Sequence, residues 1–216
     1  MSTRIKICGF TDPDTVRAAA ALGVDWAGFV FVEKSPRHIT QSAAQTLLLG
    51  VGAMTPVALL VDPDDALIDD IAALGFPVLQ LHGSETPERV EEIKRRTGLE
   101  IWKAVAVNTH ANLVDACQYY DADRLLFDAK PPETAQISGG HGRAFDWTLI
   151  AGWGDAEVDA PPWMLAGGLT PDNVARAISV TGADAVDVSS GVERVRGLKN
   201  AGLIADFVKA VRTATP

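Results

Sequence analysis

The chain has 216 residues, 47% of them hydrophobic and 22% charged, which suits a folded chain with a sizeable core and excludes a disordered polymer. Its 28 acidic and 19 basic side chains give a formal charge of −9, which argues against nucleic acid and anionic membrane as partners and leaves a small anionic ligand open. Two cysteines (Cys8 and Cys117), no apolar run of membrane-spanning length and no signal-like segment after Met1 read as a soluble, cytoplasmic protein with free thiols.

Along the chain, short apolar runs rich in β-branched residues alternate with amphipathic helical stretches. Arg4–Cys8 reads as the first strand, and Asp12 and Asp14 around Pro13 open a helix through Leu22. The strand Trp26–Val32 precedes the helix Gln41–Leu49, and the strand Pro56–Val61 precedes a helix opened by Asp62-Pro63-Asp64 and ending at Leu74. Val78–Leu81 leads to Thr86–Arg96, where Glu91/Glu92 and Arg95/Arg96 stand at spacings that pair along one helix. Ile101–Val107 leads to Ala111–Gln118, and Arg124–Asp128 to a long loop and a short helix near Trp147–Ala151. Trp163–Ala166 is followed by Pro171–Ser179, and Ala185–Ser189 by Ala201–Arg212.

That makes eight strand–helix units with strands apolar on both faces, which predicts a single (β/α)8 TIM barrel spanning residues 1–216. The longest irregular segment is Pro131–Gly142, and Gly139-Gly140-His141-Gly142 within it is a candidate lid or third phosphate contact. Oligomeric state is not encoded in the pattern, and one barrel absorbs most of the apolar content, which favours a monomer.

In a barrel of this kind chemistry sits at the strand C-termini and the loops beyond them. Gly167-Gly168 after strand seven and Ser189-Ser190-Gly191 after strand eight supply unobstructed amides and hydroxyls, a pattern suited to phosphate; tight turns are the alternative use of these glycines. Cys8 closes strand one and is either a small buried hydrophobe or a base, if its surroundings favour the thiolate. Asp128 closes strand six without opening a helix, which suits an acid in a partly desolvated site better than a cap. Arg37 is a planar fork for a carboxylate or phosphate, or an ordinary surface arginine. Asp187 could orient a hydroxyl or the phosphate loop, and His82 could touch ligand or be a satisfied structural imidazole. His38, His110 and His141 are scattered and suggest no metal site; Glu33, Lys34 and Lys130 read as solvated.

Seven segments in order carry a family resemblance: Lys6-Ile7-Cys8-Gly9, Gly28-Phe29-Val30-Phe31 with Ser35-Pro36-Arg37, Gln80-Leu81-His82-Gly83, Leu126-Phe127-Asp128, Gly139-Gly140 through Phe145-Asp146-Trp147, Leu165 through Leu169, and Asp187 through Glu193. On these the sequence resembles the phosphoribosylanthranilate isomerases over essentially its whole length. The resemblance implies an Amadori rearrangement of a phosphosugar without metal or organic cofactor. It implies Asp128 as general acid, Cys8 as general base, Arg37 as clamp on the anthranilate carboxylate, and the Gly167-Gly168 and Ser189-Ser190 loops as phosphate cradle. Such chemistry calls for a carboxyl pushed up and a thiol pushed down. One departure, Asn200 after Lys199 where the family often has Asp, bears on the cap of the last helix. Other phosphosugar barrels (an indole-glycerol-phosphate synthase, a ribulose-phosphate epimerase) and a non-catalytic phospholigand-binding barrel are the alternatives.

Overall fold

The computed structural model describes residues 2–129, 146–153 and 161–214. The Gly139–Gly142 run, with Gly140 and His141, and Lys130 lie outside the described residues. Eight parallel strands close into a barrel in chain order: β1 Arg4–Cys8, β2 Trp26–Val30, β3 Thr55–Leu60, β4 Val78–Leu81, β5 Glu100–Val107, β6 Arg124–Ala129, β7 Trp163–Leu165 and β8 Ala185–Val188. β8 closes on β1 with Lys6 opposite Asp187, and β1 meets β2 with Cys8 opposite Gly28.

Among the described residues, five of the seven helices begin where a side chain accepts from a free amide of the first turn. Asp12 caps α1 (Pro13–Ala21), Thr40 caps α2 (Gln41–Leu48), Asp64 caps α3 (Asp65–Ala73) and Thr86 caps α4 (Pro87–Thr97). At the start of α5 (His110–Ala116) the Asn112 side-chain oxygen reaches back to accept from the Thr109 amide at 3.1 Å. α6 is Val174–Thr181, and α7 is Ala201–Thr213. Asn200 accepts from the Leu203 amide at 3.0 Å, so the amide oxygen caps α7 where a carboxylate is common.

Three local features differ from expectation. Of the charges expected to pair within α4, Glu92 takes Arg89 at 2.8 Å one turn before it, while Arg96 turns to α3 and reaches Asp69 at 2.6 Å and Asp65 at 2.9 Å, with Arg89 also reaching Asp65 at 2.7 Å. α3 and α4 lie side by side on the barrel wall, so the acidic side chains of α3 are within reach of Arg89 and Arg96 as well. The short helix expected near Trp147–Ala151 is present as a four-residue 3₁₀ helix, Trp147–Ile150, capped by Asp146. α6 starts three residues later than predicted because Asn173 is engaged in the preceding loop, accepting from the Thr170 amide and donating to the Gly168 carbonyl. Finally, a two-stranded hairpin, β9 (Glu193–Val195) and β10 (Leu198–Lys199), precedes α7; the only hint in the sequence is Arg196-Gly197 between two apolar residues, and Gly197 takes φ +89° in the turn.

Side chains alternate across each strand, so one set faces the helices and the other fills the barrel. The interior floor holds Trp26, Val57, Val78, Trp102, Leu126 and Met164. Trp26 and Trp102 meet edge to face at 5.4 Å, and the Arg124 guanidinium lies 5.2 Å from the first ring and 5.5 Å from the second. Apart from Arg124, which stacks on these rings, the buried polar groups of the interior lie toward the opposite end. The same parity places Lys6, Cys8, Gln80, Asp128 and Asp187 inside, toward the strand C-termini. No helix among the described residues is long and apolar enough to cross a membrane.

Candidate active site

Cys8 is 5% exposed and packs under Val30 and Leu59. Gly28 makes its place: a Cβ there would stand 2.9 Å from both Cys8 Cα and Cys8 Sγ. Gly28→Ala therefore has to displace the thiol or the two strands, with an expected stability loss of about 1–3 kcal/mol, read by urea unfolding, together with a fall in activity. An alanine variant of wild-type stability and rate would show that the strands separate freely.

Beneath the thiol, Lys6 is fully buried and donates to Asp187 Oδ1 at 2.9 Å. Burial works against its charge, but Asp187 and Cys8 outweigh that and raise its pKa, so it remains an ammonium. A buried ion pair adds little net stability after desolvation, so its value lies in the positive charge it fixes beside Cys8. The thiol itself departs from expectation. Burial pushes its pKa up, and Lys6, Lys199 and Arg37 only partly offset this against the opposing charge of Asp187. Desolvation of a fully enclosed sulfur outweighs the neighbouring cations, so the free protein holds Cys8 as a thiol.

Asp128 lies at the end of β6, 8% exposed, with Oδ1 accepting from the Ala129 amide at 2.8 Å and Oδ2 3.1 Å from His82 Nε2. Gly167 allows this approach, since a Cβ there would stand 3.0 Å from Asp128 Oδ1 and 2.5 Å from the Ala129 nitrogen. Gly167 and Gly168 take φ +82° and +66°, left-handed conformations that side-chain-bearing residues resist. The loop after β7 is drawn against the loop after β8, where a Cβ on Gly191 would fall 1.9 Å from the Leu169 carbonyl oxygen. Beyond β8 the chain makes a three-residue 3₁₀ turn at Ser190–Val192. Ser189 Oγ donates to the Cys8 carbonyl at 2.9 Å, tying the candidate phosphate loop to the strand of the thiol.

Arg37 is 3% exposed and not a surface arginine. Its Nε and Nη2 donate to Glu193 Oε1 and Oε2 at 2.6 and 2.9 Å, and its Cδ lies where a Cβ on Gly9 would be. Glu193 also accepts from Lys199 Nζ at 2.7 Å, and the same ammonium donates to the Ser189 carbonyl at 3.0 Å. Burial would raise the Glu193 pKa, but Arg37 and Lys199 hold it below the ordinary range, while burial pulls Lys199 down to about 8 against the pull of Glu193. One carboxylate thus joins the arginine after β2 to the loop after β8. Glu193→Gln leaves Lys199 and Arg37 under-compensated in a buried setting; a stability loss of about 3–5 kcal/mol in urea unfolding is expected, and the same variant should show a raised KM because Arg37 is no longer held.

The structure therefore gathers Cys8, Asp187 and Ser189 in one contact group, and Asp128, His82 and Gly167 in another, both on interior or loop positions of the C-terminal mouth. Reading the sequence missed Lys6, Glu193 and Lys199. Lys6 inside an apolar strand was the available signal; nothing local marked Glu193, whose partner Arg37 is 156 positions away. Lys103, also in a strand, faces the opposite way and pairs with buried Glu85 at 2.8 Å. Among the described residues no three His, Cys, Asp or Glu side chains converge as a metal site.

A closed (β/α)8 barrel with its floor sealed by aromatics and its ionisable groups collected at the strand C-termini defines the class, a TIM-barrel enzyme. The particular family follows from comparison. Residues 5–210 match the family described as N-(5'phosphoribosyl)anthranilate (PRA) isomerase. The chain is 58% identical over 212 residues to the N-(5'-phosphoribosyl)anthranilate isomerase of Hyphomonas neptunium, covering 98% of each. Its fold superposes on the crystal structure of phosphoribosyl anthranilate isomerase from Thermotoga maritima with a TM-score of 0.86 at 34% identity, over 97% of this chain and 98% of that one. A phosphoribosyl anthranilate isomerase solved in complex with reduced 1-(o-carboxyphenylamino)-1-deoxyribulose 5-phosphate matches at a TM-score of 0.83 and 32% identity, over 97% and 98%. The chain belongs to the N-(5'-phosphoribosyl)anthranilate isomerase family.

Proposed function

We propose that the chain carries out the reaction of its family with Asp128 as general acid and Cys8 as general base. The reaction converts N-(5-phosphoribosyl)anthranilate to 1-(2-carboxyphenylamino)-1-deoxyribulose 5-phosphate, a step of tryptophan biosynthesis. Asp128 gives a proton to the furanose ring oxygen as the C1–O bond breaks and the amine lone pair forms a C1=N iminium. Cys8 then takes the proton from C2; the C–H electrons form a C1=C2 double bond and neutralise the iminium. The enolamine tautomerises to the ketone. Every step moves protons and bonding electrons within one molecule, so no external oxidant or reductant is consumed.

The observation that carries the reading is the placement of Asp128 and Cys8 at inward-facing ends of β6 and β1, with His82 3.1 Å from the carboxyl and the buried Lys6–Asp187 pair on the same strand as the thiol and on β8 beside it. The raised thiol is reconciled by the substrate: the iminium is a cation beside the sulfur, and with Lys6 it supplies the charge that favours thiolate over thiol. Arg37 would hold the anthranilate carboxylate with the guanidinium nitrogen that Glu193 leaves unused. Gly167, Gly168, Ser189, Ser190 and Gly191 would cradle the phosphate, a remote anchor whose binding energy positions the reacting carbons. Asp187 acts through Lys6 and not on substrate directly. Loss of anthranilate fluorescence on adding the purified chain to freshly made phosphoribosylanthranilate tests the reading; a rate equal to the buffer blank would overturn it.

A further inference from the structure

Gln80, His82 and Asp128 stand in file at the barrel mouth. Gln80 Nε2 lies 3.1 Å from His82 Nδ1, and His82 Nε2 lies 3.1 Å from Asp128 Oδ2. Gln80 is fully buried on an interior position of β4, and its Oε1 has no hydrogen-bond partner among the described residues. A carboxamide can turn either its NH2 or its oxygen toward a ring nitrogen, and the choice decides the tautomer. Turning the oxygen inward would leave the NH2 at the partnerless buried position, and orphaned donors are rarer than under-satisfied carbonyls. The NH2 therefore faces His82, Nδ1 accepts, and the imidazole proton sits on Nε2 and is donated to Asp128 Oδ2. With Oδ1 taking the Ala129 amide, both carboxyl oxygens are pinned. Each keeps a second site, from which the acid proton can reach the substrate.

We propose that Gln80 and His82 are positioning residues for Asp128. Gln80 fixes the Nε2–H tautomer of His82, and His82 holds the carboxyl at one orientation and stabilises the carboxylate that forms as Asp128 releases its proton. This rests on Asp128 being the acid.

The test is ¹⁵N NMR of the imidazole rings in the labelled full-length protein, with steady-state kinetics of His82→Ala, His82→Asn and Gln80→Leu. The wild-type His82 ring should show the Nε2–H tautomer, and Gln80→Leu should lose that preference. His82→Ala and Gln80→Leu should lower kcat by about 10- to 100-fold through misplacement of the acid, with KM held within about twofold. His82→Asn, which keeps an N–H donor, should recover part of the loss. An Nδ1–H tautomer in the wild type, or an unchanged kcat in His82→Ala while Asp128→Asn is inactive, would overturn the proposal. Near-normal turnover by Asp128→Asn would instead remove the acid reading beneath it.

Discussion

Asp128→Asn is expected to lower kcat by about 10²- to 10⁴-fold, the usual worth of a positioned acid, while the barrel stays folded. Asparagine has the size of the carboxyl, and its oxygen can still accept from the Ala129 amide as Asp128 Oδ1 does at 2.8 Å, although its NH2 then faces His82 Nε2–H and that one hydrogen bond is lost. It has no proton to give to the ring oxygen, so ring opening is the step that fails. The side chain is 8% exposed and one face is closed by Gly167, so solvent cannot easily stand in for the missing acid. KM should change little, because the proposed contacts to the substrate's two anionic ends are Arg37 and the loops after β7 and β8. Turnover measured beside thermal unfolding checks this; an asparagine variant with near-normal kcat would show that ring opening takes its proton from another group.

Cys8→Ala is expected to cost a similar factor, about 10²- to 10⁴-fold in turnover, by removing the base that takes the C2 proton. The structural penalty is small, about 1 kcal/mol for the lost sulfur contacts with Val30 and Leu59. Cys8→Ser separates chemistry from packing: it nearly fills the space, yet its hydroxyl does not ionise near neutral pH, so its rate should resemble that of alanine. The pH dependence has a definite sign. Burial raises the Cys8 pKa and the base acts deprotonated, so kcat/KM should climb with pH through neutrality. Lys199 limits the climb, since above about 8 it loses the charge that joins Glu193 to the Ser189 loop. Its effect on stability runs the other way. The folded pKa of Lys199 is below the ordinary lysine value, so between the two the unfolded chain binds more protons, and this group's contribution to stability rises with pH. A kcat/KM that falls with rising pH across neutrality, or a fast alanine variant, would rule Cys8 out as the base.

Much of this could be read from the chain. Strand number and order followed from the alternation of apolar runs with capped helices, because caps such as Asp12, Asp64 and Thr86 and the period of the apolar residues act over a few positions. Cys8, Asp128 and the Gly167-Gly168 and Ser189–Gly191 loops stood out because they end strands of a barrel whose strand ends are its mouth. What lay outside local sequence was partnership. Glu193 with Arg37, Lys6 with Asp187 and His82 with Asp128 are joined by barrel closure across 156, 181 and 46 positions, and the hairpin carrying Glu193 and Lys199 is too short to announce itself. The pKa of Cys8 was beyond reach for the same reason: it depends on how completely the folded barrel excludes water from the sulfur, set against cations that only tertiary structure brings near. The sequence by itself determined the barrel and the residue types at its mouth, because both are written in short-range pattern. Tertiary structure alone decided which of those groups are charged, paired and held in place, because desolvation and ion pairing act through space between residues far apart in the chain.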